Sequence, residues 1–170
     1  MTQSPAFSFR LTTVKTDKRQ VALAFAAVVS VFLPYYLTAA YLVFAAGYTL
    51  FSRERRTRAL ALPHSRLILA VIGAWAFVSF GYGNLHGVAV SFFILCGLLT
   101  AFYLRSYMTR RLFDRMMDLV CLFGIAATII ALCQRLSAGE GYRAVSVFSN
   151  PNFYGTVMEF TALIALYRLF

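Results

Sequence analysis

VALAFAAVVSVFLPYYLTAAYLVFAAGYTLF, residues Val21–Phe51, holds 31 consecutive positions without a formal charge. A single straight helix over this stretch would be roughly 46 Å long, against a hydrocarbon core about 30 Å thick. Pro34 lies near its middle, where a missing N–H and a ring clash interrupt a helix, and Tyr35 and Tyr36 suit a membrane interface. Basic residues flank both ends, so both ends belong on the same side. The stretch therefore predicts two short helices, about Val21–Leu33 and Tyr36–Phe51, with one long tilted helix as the alternative.

Working outward, the same alternation recurs. Arg53, Arg55, Arg56, Arg58 and Arg66 precede a run Leu67–Phe80; a turn signal, Gly81-Tyr82-Gly83-Asn84, leads into a second run, Gly87–Leu104. Arg105, Arg110, Arg111 and Arg115 follow, then a fifth run at Met116–Leu132, a polar stretch Cys133–Asn152, and a sixth run from Asn152 to Tyr167. With 61% hydrophobic and 13% charged residues the 170-residue chain departs from soluble domains, which are roughly 45–50% apolar and about 25% charged. The expected fold class is all-α: a polytopic integral membrane bundle of about six transmembrane helices, residues 21–170, behind a cytoplasmic tail, residues 1–20. The tail leads into an apolar stretch too long for a cleaved signal peptide.

Charge placement fixes the expected orientation. In a six-crossing arrangement fourteen of the sixteen Lys and Arg residues fall on one side, and only Arg135 and Arg143 on the other. Cytoplasmic loops collect positive charge, so the amino terminus is expected inside, in the cytoplasmic membrane, with the lipid bilayer as the first partner. The net charge of +10 is thereby accounted for without nucleic acid. Cys96, Cys121 and Cys133 show no paired spacing, and His64 and His86 are separated by a crossing with no carboxylates clustered beside them. No metal or cofactor site is readable, and the Gly81–Gly83 turn lacks the phosphate-loop pattern.

Arg143 and Arg135 stand out against this asymmetry. Asn150 is a good helix N-cap, and Pro151 suits the first helical position. The sixth helix is thus expected to start at the outer face, its positive dipole end and free N–H groups pointing outward. An arginine fork just before it would match phosphate oxygens. The bland reading stays open: Asn-Pro is an ordinary helix start, and Arg143 and Arg135 are then solvated loop charges. Glu159 lies seven residues after Asn152, on nearly the same face, with Thr156 between. It is either a residue of a polar cavity or an acid bonded to a neighbouring helix. Asp118 is expected to pair locally on its own helix, near Asp114, Arg111 and Arg115.

The 26 residues from Arg143 to Arg168, RAVSVFSNPNFYGTVMEFTALIALYR, resemble the O-antigen ligase and polymerase family. Members carry an arginine, a short serine- or glycine-containing stretch, then Asn-Pro-Asn at an outward-starting membrane helix; the preceding basic hairpins agree in layout. The resemblance implies a metal-independent membrane glycosyltransferase that ligates or polymerises a polyprenyl-diphosphate-linked glycan onto an acceptor glycan or lipid at the outer face. It places Arg143 on the diphosphate, with Asn150, Pro151 and Asn152 setting the helix start beside it, Arg135 assisting, and Glu159 in the cavity wall. Family members add further crossings and a large external loop bearing more arginines and a histidine. The chain is therefore expected to be an incomplete, inactive portion of such a domain. Two rivals remain: a small non-catalytic membrane subunit, and a transporter fragment using Glu159 as a coupling acid.

Overall fold

The computed structural model describes residues 17–138, 142–148 and 150–169. Most of the expected cytoplasmic tail, residues 1–16, lies outside them, as does Ser149. The described residues form seven helices and no strand: α1 Lys18–Val31, α2 Tyr35–Leu50, α3 Arg53–Leu60, α4 Ser65–Gly81, α5 Leu85–Tyr107, α6 Arg110–Ala138 and α7 Pro151–Leu169. The all-α expectation holds. α5 and α6 are long and apolar enough to cross a membrane, and α3 with α4, bent by 95°, adds a third span if the pair counts as one.

Pro34 does break the first apolar run. The Leu33 N–H turns back to the Ser30 carbonyl at 3.2 Å, and the Thr38 hydroxyl donates to the same carbonyl at 2.6 Å, so the break leaves that acceptor satisfied. The Tyr41 hydroxyl reaches the Leu23 carbonyl at 2.9 Å, closing an antiparallel hairpin. Its helices have 14 and 16 residues, hence lengths of about 21 and 24 Å, short of a core about 30 Å thick. Its tip sits against the middle of α6: the Phe32 ring stacks on Phe123 at 5.4 Å between centroids.

The remaining hairpins are set by local chemistry. At the α4–α5 turn Gly83 has φ 68°, and the Asn84 side chain accepts from the Gly87 N–H at 2.9 Å. A Cβ on Gly87 would come within 2.8 Å of the Ser79 hydroxyl, so glycine is what lets this corner close. The first basic loop is more ordered than expected. Arg53–Leu60 form α3, whose last turn is capped when Ser65 Oγ donates to the carbonyls of Leu60 and Leu62, at 3.1 and 2.8 Å. α6 also runs past the expected end of the fifth run, through Cys133, Gln134 and Arg135 to Ala138.

Small residues let the helices approach: Ala24, Ala45 and Ala59 are fully buried, beside Tyr103 and Tyr107. Outward faces are apolar instead, with Trp75 68%, Phe77 77% and Leu122 62% exposed. A surface of this character belongs in lipid.

Contacts between helix ends sort the charges. Tyr107 donates to the Gln20 carbonyl at 3.0 Å, Tyr48 packs on Tyr103, and Arg168 pairs with Asp114 at 3.1 Å and Asp118 at 2.8 Å. The start of α1, the end of α2, the end of α5, the start of α6 and the end of α7 therefore gather at one end. Every described Lys and Arg except Arg135 and Arg143 lies on that end. Asp118 corrects an expectation: it binds Arg168 across to α7, because parallel seams between antiparallel helices bring residues fifty positions apart closer than its own helical neighbours.

Candidate functional site

Residues 142–148, between α6 and α7, fold as a strap at the end opposite the basic cluster. Gln134, in the last turns of α6, holds it: its Nε2 donates to the Ser146 carbonyl at 3.0 Å, and its Oε1 accepts from the N–H groups of Val145 and Ser146, at 3.3 and 2.8 Å. One amide side chain thus satisfies a donor pair and an acceptor of the strap. Ser146 takes φ 53°, a left-handed conformation that costs a non-glycine residue about 1 kcal/mol. Its hydroxyl compensates by donating to the Ala127 carbonyl at 2.7 Å. Phe148 then turns inward, buried between Phe32 at 6.0 Å and Phe153 at 5.4 Å. The strap is in this way stapled to the tip of the α1–α2 hairpin.

Asn150 caps α7, accepting on Oδ1 from the N–H of Asn152 at 2.9 Å and of Phe153 at 3.5 Å, while its carbonyl takes the Tyr154 N–H at 3.0 Å. Pro151, the first helical residue, has no N–H to satisfy. This differs from the expected outward-pointing free N–H groups: the cap uses the donors of the first turn, so what α7 offers an anion is its dipole rather than bare amides. The donors come from side chains. Arg143 Nη2 donates to Asn152 Oδ1 at 3.0 Å, both residues being exposed. That bond occupies one of five guanidinium N–H groups and turns the Asn152 amide nitrogen away from Arg143. Arg135, expected in a loop, lies in the last turn of α6 and donates through Nη1 to the Tyr142 carbonyl at 2.8 Å, tying down the strap's described start. Arg143, Asn150, Pro151 and Asn152 thus come together, with Arg135 bracing the chain before them.

Glu159 does not join them. It lies seven residues further along α7, about 10 Å by helical rise, and is exposed, with no hydrogen bond or ion pair to any described residue. Among the described residues no carboxylate pairs with Arg143, and no three His, Cys, Asp or Glu side chains converge. The arrangement can hold a phosphate-type anion; it brings no general base to it.

A second polar feature was not foreseen. At the basic end a cavity of about 320 Å³ is lined by Asp17, Tyr48, Glu54, Arg55 and Arg58, among others. Arg55 Nε donates to the Tyr48 carbonyl at 2.7 Å, its guanidinium carbon 3.8 Å above the Tyr48 ring. These residues come from the N-cap of α1, from α2 and from α3, and in sequence the charged ones read only as flanking charge. Comparison with family models, with curated proteins and with solved structures gave no match.

Proposed function

We propose that the strap and the start of α7 form the diphosphate-binding part of a membrane glycosyltransferase of the O-antigen ligase and polymerase type, with Arg143 on the leaving group. The single observation that carries the reading is the Arg143–Asn152 hydrogen bond at the capped start of α7, the two residues joined across nine positions by a strap fastened at both ends. An acceptor hydroxyl attacks the anomeric carbon, the bond to the lipid diphosphate breaks, and the departing charge needs fixed donors beside it. Arg143 supplies those donors. Among the described residues none is placed to take the acceptor's proton, so the work of this site is leaving-group binding. Purified protein in lipid nanodiscs is expected to retain a polyprenyl diphosphate, and Arg143→Ala to lower retention about tenfold, the loss of one charge-assisted contact. Equal retention by the variant removes Arg143 from the site.

Orientation follows from charge: the basic end is cytoplasmic and the strap external, in the cytoplasmic membrane. The hairpin α1–α2 starts and ends on the basic side whether it crosses or only re-enters, so the charge partition survives either way. Its short helices and mid-membrane tip favour re-entry, with α4, α5, α6 and α7 as crossings. In a background lacking Cys96, Cys121 and Cys133, Tyr82→Cys is expected to react with an impermeant maleimide on intact cells. Tyr36→Cys stays protected, and Thr57→Cys reacts only after permeabilisation. Labelling of Thr57→Cys on intact cells reverses the orientation and removes the external diphosphate site with it.

Glu159 favours a second reading, in which the chain is a non-catalytic membrane subunit. An unpartnered acid midway along an exposed helix face is costly in lipid and calls for a covering protein surface.

A further inference from the structure

The polar cavity at the basic end adjoins an apolar groove of about 440 Å³ along Ala22, Leu23, Ala26 and Phe44, and Tyr48 lines both. Arg19 stands in the groove wall, at the first turn of α1. A polar pocket and an apolar trough that share a wall match one molecule with a charged head and a hydrocarbon tail. We infer that this composite site binds a phospholipid with an ethanolamine headgroup. Arg55 and Arg19 hold its phosphate, Glu54 and Asp17 hold its ammonium, and one acyl chain lies in the groove.

Charge decides the class of headgroup. The cavity is lined by two arginines, Arg55 and Arg58, and two carboxylates, Asp17 and Glu54. An anionic headgroup would satisfy Arg55 and Arg19 but lie against Asp17 and Glu54, of which only Glu54 has an ion-pair partner among the described residues, Arg58; a head carrying both signs satisfies the two sets together. Arg55 is already oriented for the phosphate. Its Nε and its ring stacking fix the guanidinium plane on Tyr48, and neither terminal nitrogen bonds a described residue. Pre-organisation of this kind lowers the ordering cost of binding. Glu54 pairs with Arg58 at 2.6 Å, but the two side chains are 71% and 45% exposed, and such surface pairs contribute about 0–1 kcal/mol. Glu54 is thus able to take a second cation. A primary ammonium offers hydrogen bonds to these carboxylates. A quaternary choline offers none, and the aromatic face it would prefer, that of Tyr48, is covered by Arg55. The cavity volume falls within the roughly 300–1,000 Å³ of small-molecule sites.

Native mass spectrometry of the full chain, loaded with equal amounts of phosphatidylethanolamine, phosphatidylglycerol and phosphatidylcholine of identical acyl chains, tests this. The expected result is preferential retention of the ethanolamine lipid, by roughly tenfold over either competitor. Glu54→Gln combined with Asp17→Asn is expected to erase that preference and raise the glycerol lipid to parity, and Arg55→Gln to weaken retention of all three. Retention of the glycerol or choline lipid at or above the ethanolamine lipid by the unaltered protein overturns the proposal. So does absence of bound phospholipid, or a preference that survives loss of both carboxylates. Should Arg55→Gln fail to fold, the unaltered protein and the carboxylate variant still decide. The site lies at the end opposite Arg143, so failure here leaves the diphosphate reading standing, and the reverse.

Discussion

Gln134→Leu is expected to release the strap between α6 and α7 while leaving the helices formed. Leucine keeps much of the volume and removes three hydrogen bonds, to the Ser146 carbonyl and to the N–H groups of Val145 and Ser146. Ser146 is buried, so its two backbone groups lose their partner without gaining water, at about 1–3 kcal/mol each. Val145 is half-buried and its N–H recovers part of the loss. The total, on the order of 3 kcal/mol, is borne by a segment that also holds Ser146 at φ 53°, a conformation the freed strap has no reason to keep. Arg143 lies three residues before Ser146, so its bond to Asn152 is expected to open as well. A cysteine at Val147, half-buried in the intact strap, reports the change. Its maleimide reactivity should rise sharply in the Gln134→Leu background, and the melting temperature should fall. Unchanged reactivity would mean that Phe148 and Ser146 Oγ hold the strap without Gln134.

Several elements are legible in the amino-acid sequence because a single residue, or two neighbours, decide them. Pro34 breaks a helix by covalent geometry, and Gly83-Asn84 closes a hairpin by its own dihedral freedom and side-chain acceptor. Asn150-Pro151 starts α7 for reasons contained in two residues. What escapes a sequence reading is relational. α1 and α2 come out close to their expected bounds, but that their tip meets the middle of α6 through Phe32 and Phe123 is encoded in no local pattern. Asp118 has a plausible partner, Arg115, three positions away on its own helix; only the antiparallel seam makes Arg168 the nearer one. Gln134, a polar residue near the end of an apolar run, reads as a solvated helix terminus until the strap folds back twelve residues later. The free N–H groups expected at the start of α7 are consumed by its own cap. Membrane character and charge asymmetry follow from composition, where long-range geometry is not needed.

Gly124→Ala is expected to force α6 and α7 apart, and Thr161→Ala to restore them. Gly124 is buried, and a Cβ added there would overlap the methyl of Thr161 on α7. A long flexible side chain would yield, but threonine is branched at Cβ and has few rotamers in a helix. Its hydroxyl donates to the Val157 carbonyl at 2.9 Å, so rotating the methyl away sacrifices that bond. The backbones must move instead, at about 1–3 kcal/mol for one misplaced methyl in a packed seam. In lipid the loss is not offset by solvent, because close packing between small residues is what holds such helices together. The same seam carries Arg168 against Asp114 and Asp118, so separation also strains that pairing at its basic end. Thr161→Ala alone removes two atoms from the seam and is expected to cost less than Gly124→Ala. In the double variant the new methyl occupies the space vacated by the old one. Thermal unfolding of the four proteins in detergent forms a double-mutant cycle, with an expected coupling of about 1 kcal/mol or more in favour of the double variant. If the two losses simply add, Gly124 and Thr161 do not meet, and the register of α7 against α6, on which the positions of Asn152 and Arg143 depend, has to be redrawn.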